Sequence, residues 1–402
     1  MLAPSLYGRL QGVRTRVIGR DAHIRMPHTG RPCVLLVDHD FPEVDRDAGS
    51  RAIASFAGLL GQAGLDVVFW AASTDPSDAG REYLREQGIH ALSRQQTGPL
   101  GRWLVQVSPR FRASVLSRPL VAAMYMPVVR RHIPGPCIYY GHDVHHRRLR
   151  AMRKIAAAGL SDRWEMTLMT MVEHRLWRKA DHVLYPSKEE ADVVNSYRDA
   201  KGMLANGEMF PLWTLPSGVA MPIIDPRRRK SLLFVGSYAH APNIDGLNWF
   251  LRDVAPYLKV PPGQCKLTIV GSGMQDYVPP EGTTMDIDIR GRVDDAALVR
   301  CYSQSRAVVA PLRFGGGVKG KVLEAIGHGV PCVMTTPAAQ GLAGIESLLP
   351  VVDDPAAYAK ALARLLSDDE AWITAAKAAY QFLEEKYDSR HFIERLKTLL
   401  AA

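Results

Sequence analysis

The 402-residue chain has no C-x-x-C pair, no apolar run of bilayer length, and almost no acid in one long stretch. Each shortage removes a class of protein. The five cysteines, Cys33, Cys137, Cys265, Cys301 and Cys332, are odd in number and scattered, so they read as small buried apolar groups in a reducing cytoplasm. The segment Val121 to Val129 falls far short of the roughly 20 residues of a spanning helix and contains Pro127, so no transmembrane helix is expected. Met1 to Arg31 is studded with arginine and lacks the apolar stretch of a secretory signal. Between Gly101 and Arg150 there are nine arginines and a single acid, Asp143, so much of the net charge of +9 is one local patch that seeks anions.

What is present centres on the run from Pro311 to Pro331. Gly315, Gly317 and Gly320 spell G-x-G-x-x-G, and Gly315 with Gly320-Lys321 spells G-x-x-x-x-G-K. A P-loop needs Ser or Thr after its lysine to hold magnesium, and Val322 stands there. A dinucleotide site needs an acid ending the next strand, but Val330 to Thr335 runs into Thr336-Pro337-Ala338. What remains is a glycine loop opening a helix, with Lys319 and Lys321 in its first turn and Glu324 one turn further. Backbone N–H groups and the positive helix end suit a phosphate, and a carboxylate deeper in the site suits sugar hydroxyls. Together they describe a nucleotide site.

Length and 47% apolar content indicate about two to three domains with ample core. Strand and helix alternate: strands at Pro32 to Asp38, Leu65 to Ala71, Ile89 to Leu92, Cys137 to Tyr140 and His182 to Tyr185 predict a parallel sheet. Ser187 is expected to cap a helix over Lys188 to Tyr197. A proline-rich stretch, 216–230, reads as a linker. A second alternation follows, with strands at Ser231 to Val235, Cys265 to Val270, Met285 to Arg290, Ala307 to Pro311, Val330 to Thr335 and Leu349 to Val351, and two closing helices, Asp369 to Lys386 and Arg390 to Leu400. Asn243 and Asp294 read as helix caps. The α/β pattern predicts two doubly wound halves with a ligand cleft between them.

The second half resembles the nucleotide-binding domain of GT-B glycosyltransferases, specifically family 4, the glycosyl transferases group 1. The matching residues are Leu233 to Ser237 with Pro242-Asn243, Ile269 to Gly273, Ile289 to Val293, the loop Arg313 to Glu324, and Pro331 to Thr336. The first half is similar to the acceptor domain of the same enzymes through Asp45-Arg46-Asp47-Ala48-Gly49-Ser50-Arg51 and Gly141-His142-Asp143-Val144-His145-His146. The resemblance implies two Rossmann-like domains facing a central cleft: an acceptor domain, 1–215, and a nucleotide-sugar domain, 231–385. The helix at 386–402 is then expected to pack back on the first domain.

By the same resemblance the donor is held by Gly236, Ser237, Arg292, Val293, Arg313, Gly315, Gly316, Gly317, Val318, Lys319, Lys321 and Glu324, with Glu324 on the ribose. Two positions depart from the family: Gly316 stands where many relatives hold the sugar with Glu, and Ser237 where many carry a phosphate-binding Arg. Lys319, Lys321 and Arg313 are expected to supply the missing positive charge. Gly49, Ser50, Asp143 and His145 are expected at the acceptor, and Asp143, His145 and Lys321 in catalysis, with Ser50 or its neighbour capping a helix. No metal is expected, although Asp38-x-Asp40, Asp45-x-Asp47 and Asp286-x-Asp288 match D-x-D, because three hits in one chain make the pattern uninformative. No cofactor beyond the donor is implied.

The arginine-rich part, Arg102 through Arg131, interleaves Phe111, Val115, Leu116, Leu120, Val121, Met124, Tyr125 and Met126. It reads either as an amphipathic helical segment with solvated arginines or as a surface that docks on anionic lipid at the inner face of the cell membrane. No recognised nucleic-acid module accompanies it. The expected activity is retaining transfer of a sugar from a nucleoside diphosphate to a hydroxyl on a polysaccharide, glycolipid or lipid-linked saccharide. The alternatives are a nucleotide-sugar epimerase or phosphorylase on the same architecture, or a non-catalytic nucleotide-binding scaffold.

Overall fold

The computed structural model describes residues 29–44, 48–153, 160–219, 221–222, 225–259 and 265–401. The start of the chain and Asp45, Arg46 and Asp47 lie outside the described residues, so the arginine-studded segment and one D-x-D match are not placed. Seven parallel strands form the first sheet, in the order β3-β2-β1-β4-β5-β6-β7. They are β1 (Cys33–Asp38), β2 (Asp66–Ala71), β3 (His90–Ser93), β4 (Phe111–Ser117), β5 (Cys137–Tyr140), β6 (His182–Tyr185) and β7 (Gly207–Met209). The second sheet runs β10-β9-β8-β11-β12, from β8 (Ser231–Val235), β9 (Lys266–Val270), β10 (Asp286–Gly291), β11 (Ser305–Ala310) and β12 (Cys332–Met334), again all parallel. In both sheets the strand order reverses once, beside the first strand, and ligands of open α/β sheets bind outside the carboxyl ends at that reversal.

The central strands of each sheet are buried on both faces, which is why they are apolar without alternation, whereas the edge strands β7 and β10 are only partly buried. In β1, Cys33, Leu35 and Val37 enter one core while Val34 and Leu36 enter the other. The chain crosses between domains twice, and the crossings touch: Leu215 N–H donates to Tyr387 O at 2.8 Å and Ser389 N–H to Leu215 O at 3.0 Å. After the second crossing the helix Ser389–Ala401 lies on the helix Ala48–Gln62, placing Phe392, Leu396, Leu399 and Leu400 in the core of the first domain.

Four local expectations fail. The arginine-rich part is not a continuous helix: it holds the helices Leu100–Val107 and Pro119–His132 around β4, a central strand whose Val115 and Leu116 are fully buried. Burial between β1 and β5 overrides the helical look of that stretch. Leu349 to Val351 supplies only a bridge from Val351 to Met334. Ser50 is the third residue of its helix rather than a cap. Asn243 likewise lies inside the helix Ala241–Trp249, whose N-cap is His240. Ser187 and Asp294 do cap, accepting from Glu190 N–H and Ala297 N–H.

Candidate active site

The glycine loop leaves β11 and turns into the helix Gly320–Gly327 with Lys319 as N-cap. Gly315 and Gly317 adopt φ of 138° and 69°, values that a side chain strains, so glycine is required for the turn. The loop meets the first domain directly. A Cβ on Gly316 would stand 3.1 Å from Arg148 Cβ, and one on Gly317 would stand 3.3 Å from Asp143 Cβ. The stem of Arg148 therefore occupies the space that a longer residue at 316 would need.

Glu324, on the buried side of its helix, faces across the same cleft. Arg51 Nη1 donates to its Oε1 at 2.9 Å and the Tyr302 hydroxyl donates to its Oε2 at 3.2 Å. Burial raises the Glu324 carboxyl, and Arg51 opposes that rise. Lys321 reaches back to Asn243, donating to Oδ1 at 2.6 Å with its ammonium 5.0 Å from the Phe234 ring centroid. Asn243 in turn donates to Ser237 O at 2.9 Å, tying the loop after β8 to the lysine. Lys319 donates to the carbonyls of Gly316 and Gly317. Burial lowers Lys319 to about 8, against the pull of Glu190 and Asp143. Burial and the neighbouring Lys319 lower Lys321 to about 7. Two neighbouring desolvated cations repel each other, which a bound phosphate would relieve.

Other expected donor residues are placed less directly. Gly236 and Ser237 follow β8 at the reversal of strand order, and a Cβ on Gly236 would meet the Asn243 amide at 2.8 Å. Arg313 is committed to Asp245, with Nε to Oδ2 at 2.8 Å and a second contact through Nη2. Val318 is buried in the core of the second domain, and Val293 packs against that core. Arg292 is exposed just beyond β10.

On the opposite wall, Asp143 follows β5. His145 Nδ1 lies 2.5 Å from Asp143 Oδ1, and Arg148 Nε 2.6 Å from Oδ2. Burial would raise the Asp143 carboxyl, but the His145 hydrogen bond overcomes it and the group titrates low. Burial lowers His145 and Asp143 more than restores it, so His145 titrates high. Gly49 and Ser50 lie in the first turn of the helix Ala48–Gln62, which also carries Arg51.

Several residues were not expected in the site. Glu173, fully buried, accepts from the N–H groups of His145 and His146 at 2.9 and 3.0 Å, from His146 Nδ1 at 2.7 Å and from the Tyr185 hydroxyl at 3.2 Å. It fixes the helix start that carries His145. The spacing of Met169, Glu173, Leu176 and Trp177 on one helix face was the available signal. Asp38, buried at the end of β1, pairs with Arg118 at 3.0 Å, and Arg118 has φ of 62°. Burial would raise Asp38, yet Arg118 and His39 hold it well below the carboxylate range. His142 Nε2 lies 3.0 Å from Ser117 Oγ, and burial followed by Arg118 lowers it to about 4. Among the described residues no three His, Cys, Asp or Glu side chains group as a metal site, and no helix is long and apolar enough to cross a membrane.

Residues 229–368 match the family described as glycosyl transferases group 1. An uncharacterized 44.6 kDa protein in the cps region of Klebsiella pneumoniae is 26% identical over 224 residues, 52% of this chain and 53% of that protein, so the match spans about half of each. Among solved structures, Anabaena HepE with UDP and glucose aligns over 92% of this chain and 99% of its own, with TM-score 0.62 and 14% identity. A TarM variant from S. aureus, in complex with fondaparinux, alpha-GlcNAc-glycerol and UDP, aligns over 92% and 100%, with TM-score 0.63 and 10% identity. The chain as a whole therefore has the GT-B fold, and within it residues 229–368 are similar to the glycosyl transferases group 1.

Proposed function

We propose that the protein transfers a glycosyl group from a nucleoside diphosphate sugar to a hydroxyl acceptor, with retention at the anomeric carbon. The observation that carries this reading is the pairing of a buried carboxylate, Glu324, with two desolvated lysines at one helix start in a glycosyl transferases group 1 segment. The presence of UDP in the HepE and TarM structures supports a uridine donor. Glu324 binds the ribose, while Lys319, Lys321 and the loop N–H groups face the diphosphate.

In the step proposed, the acceptor oxygen attacks the anomeric carbon on the face from which the diphosphate departs. The bond from that carbon to the phosphate oxygen breaks, and the acceptor proton passes to the leaving phosphate. Lys321 and Lys319 stabilise the charge that builds there. Asp143, already neutralised by His145 and Arg148, positions the acceptor and needs no covalent role. The acceptor is a saccharide or lipid-linked saccharide, and the cps-region relative favours polysaccharide biosynthesis. Five buried free thiols support a cytoplasmic location.

Glu324→Ala tests the site. Losing hydrogen bonds to a charged group is expected to weaken UDP binding by about tenfold or more, measured calorimetrically, and to cut turnover alongside. Unchanged affinity and turnover would sink the assignment. Product NMR with a UDP-sugar panel reports retention directly.

A further inference from the structure

The helix layer of the first domain carries an apolar surface that the core does not absorb. Of the twelve large hydrophobic residues exposed among the described residues, six lie on three helices of one face: Val105, Leu120, Met124, Trp164, Leu168 and Met171. The helices Leu100–Val107, Pro119–His132 and Leu160–Lys179 are neighbours in that order, all packed on the same side of the sheet. Trp164, Leu168 and Met171, exposed by 75, 49 and 54%, stand at i, i+4 and i+7, one stripe of one helix. Leu120 and Met124 form a parallel stripe on the next helix.

An isolated exposed Leu needs no explanation, but a clustered set with an exposed Trp marks a contact surface. The charge around it identifies the partner. Arg163, Arg175, Arg178 and Lys179 are exposed on the helix that bears the tryptophan, against a single exposed acid there, Glu165, among the residues whose side chains are described. Arg131 lies exposed in the last turn of the neighbouring helix, and Arg130 is tied to Asp181. Tryptophan, leucine and methionine flanked by arginine match the boundary between anionic headgroups and acyl chains.

We infer that this face docks on an anionic lipid bilayer through Trp164, Leu168 and Met171, with the arginines in the headgroup layer. The inference builds on the glycosyltransfer reading, since docking would present the cleft to a lipid-linked acceptor. Position supports it. The helix Leu160–Lys179 ends just before β6, so its other end, with Trp164, lies toward the carboxyl ends of the strands, as do Asp143 and His145. It also narrows the expected contact through Arg102 to Arg131, because Phe111, Val115, Leu116, Tyr125 and Met126 are buried in the core while Leu120 and Met124 are exposed.

Flotation of the full chain with vesicles of phosphatidylcholine, alone or mixed with phosphatidylglycerol, tests this. Wild type is expected to prefer the anionic vesicles, with salt weakening the preference. Trp164→Ser with Leu168→Ser should lower partitioning about tenfold or more. Arg175→Glu should lower it about fivefold on anionic vesicles only, near the contribution of one basic residue. UDP affinity, measured on the same samples, should not change, which shows the variants folded and separates this test from that of the donor site. Equal recruitment to neutral and anionic vesicles, no recruitment, or variants that float like wild type would overturn the proposal. So would a concentration-dependent dimer that the same substitutions dissolve, because the face would then belong to a second copy.

Discussion

At the scale of single residues, Arg51 and Glu324 hold each other across the cleft, so the ribose proposed to bind Glu324 would meet a competitor. Arg51→Ala should therefore raise affinity for uridine, which has no phosphate, by about two- to fivefold, the range of a partly exposed ion pair. Calorimetry with uridine reads this directly, and an unchanged constant would mean that the pair does not guard the site. The lysines make a second prediction with a definite sign. Lys321 and Lys319 titrate near 7 and 8 when folded and near 10.5 when unfolded, so the unfolded chain binds more protons between those values. Ligand-free stability should thus rise as pH climbs from about 7 toward 10. Lys321→Met should flatten that rise and increase the melting temperature at pH 7 while weakening UDP binding. A bound diphosphate restores the lysine charge, so binding at pH 8 should take up protons, detectable as a buffer-dependent enthalpy. The setting of Glu324 was legible because Val322, Leu323, Ala325 and Ile326 surround it with apolar neighbours. Its partner was not, since Arg51 lies 273 positions away and only tertiary packing brings them together.

At the scale of elements, the start of the helix His145–Arg153 depends on a carboxylate from the helix Leu160–Lys179. Glu173→Ala would leave the N–H groups of His145 and His146 and the buried Tyr185 hydroxyl without that acceptor. A loss of about 3–5 kcal/mol is expected in urea unfolding. Glu165→Ala on the same helix, exposed, should stay within about 0.5 kcal/mol. Parallel strands with continuous apolar runs, such as β1, β6 and β8, could be read from sequence almost to the residue. β4 could not, because Arg112 lies within it, Arg118 follows it, and Ser114 and Ser117 dilute its apolar run, although both serines are fully buried. Asn243 failed for a related reason: its position near a helix start suggests a cap, whereas Lys321, far along the chain, claims its side chain.

At the scale of the whole molecule, two crossings hydrogen-bonded to each other join the domains at Leu215 and Tyr387 to Ser389. The helix beyond them belongs to the first domain by packing. Leu396→Ala, at a fully buried position, should cost about 2–5 kcal/mol, and the loss should appear in the transition of the first domain. Removing 389–401 should destabilise that domain while UDP still binds the second. UDP affinity that falls in step with first-domain unfolding would contradict this independence.

The same helix sets an order of assembly during synthesis. The second domain is continuous between its two crossings, so all of its core has been made before the helix Ser389–Ala401 leaves the ribosome. The first domain, although translated earlier, must wait with Phe56 and its neighbours uncovered until Phe392 and Leu396 arrive. The half of the protein that is made first is thus the half that is finished last, and its exposed interval is when a chaperone or an aggregate would find it.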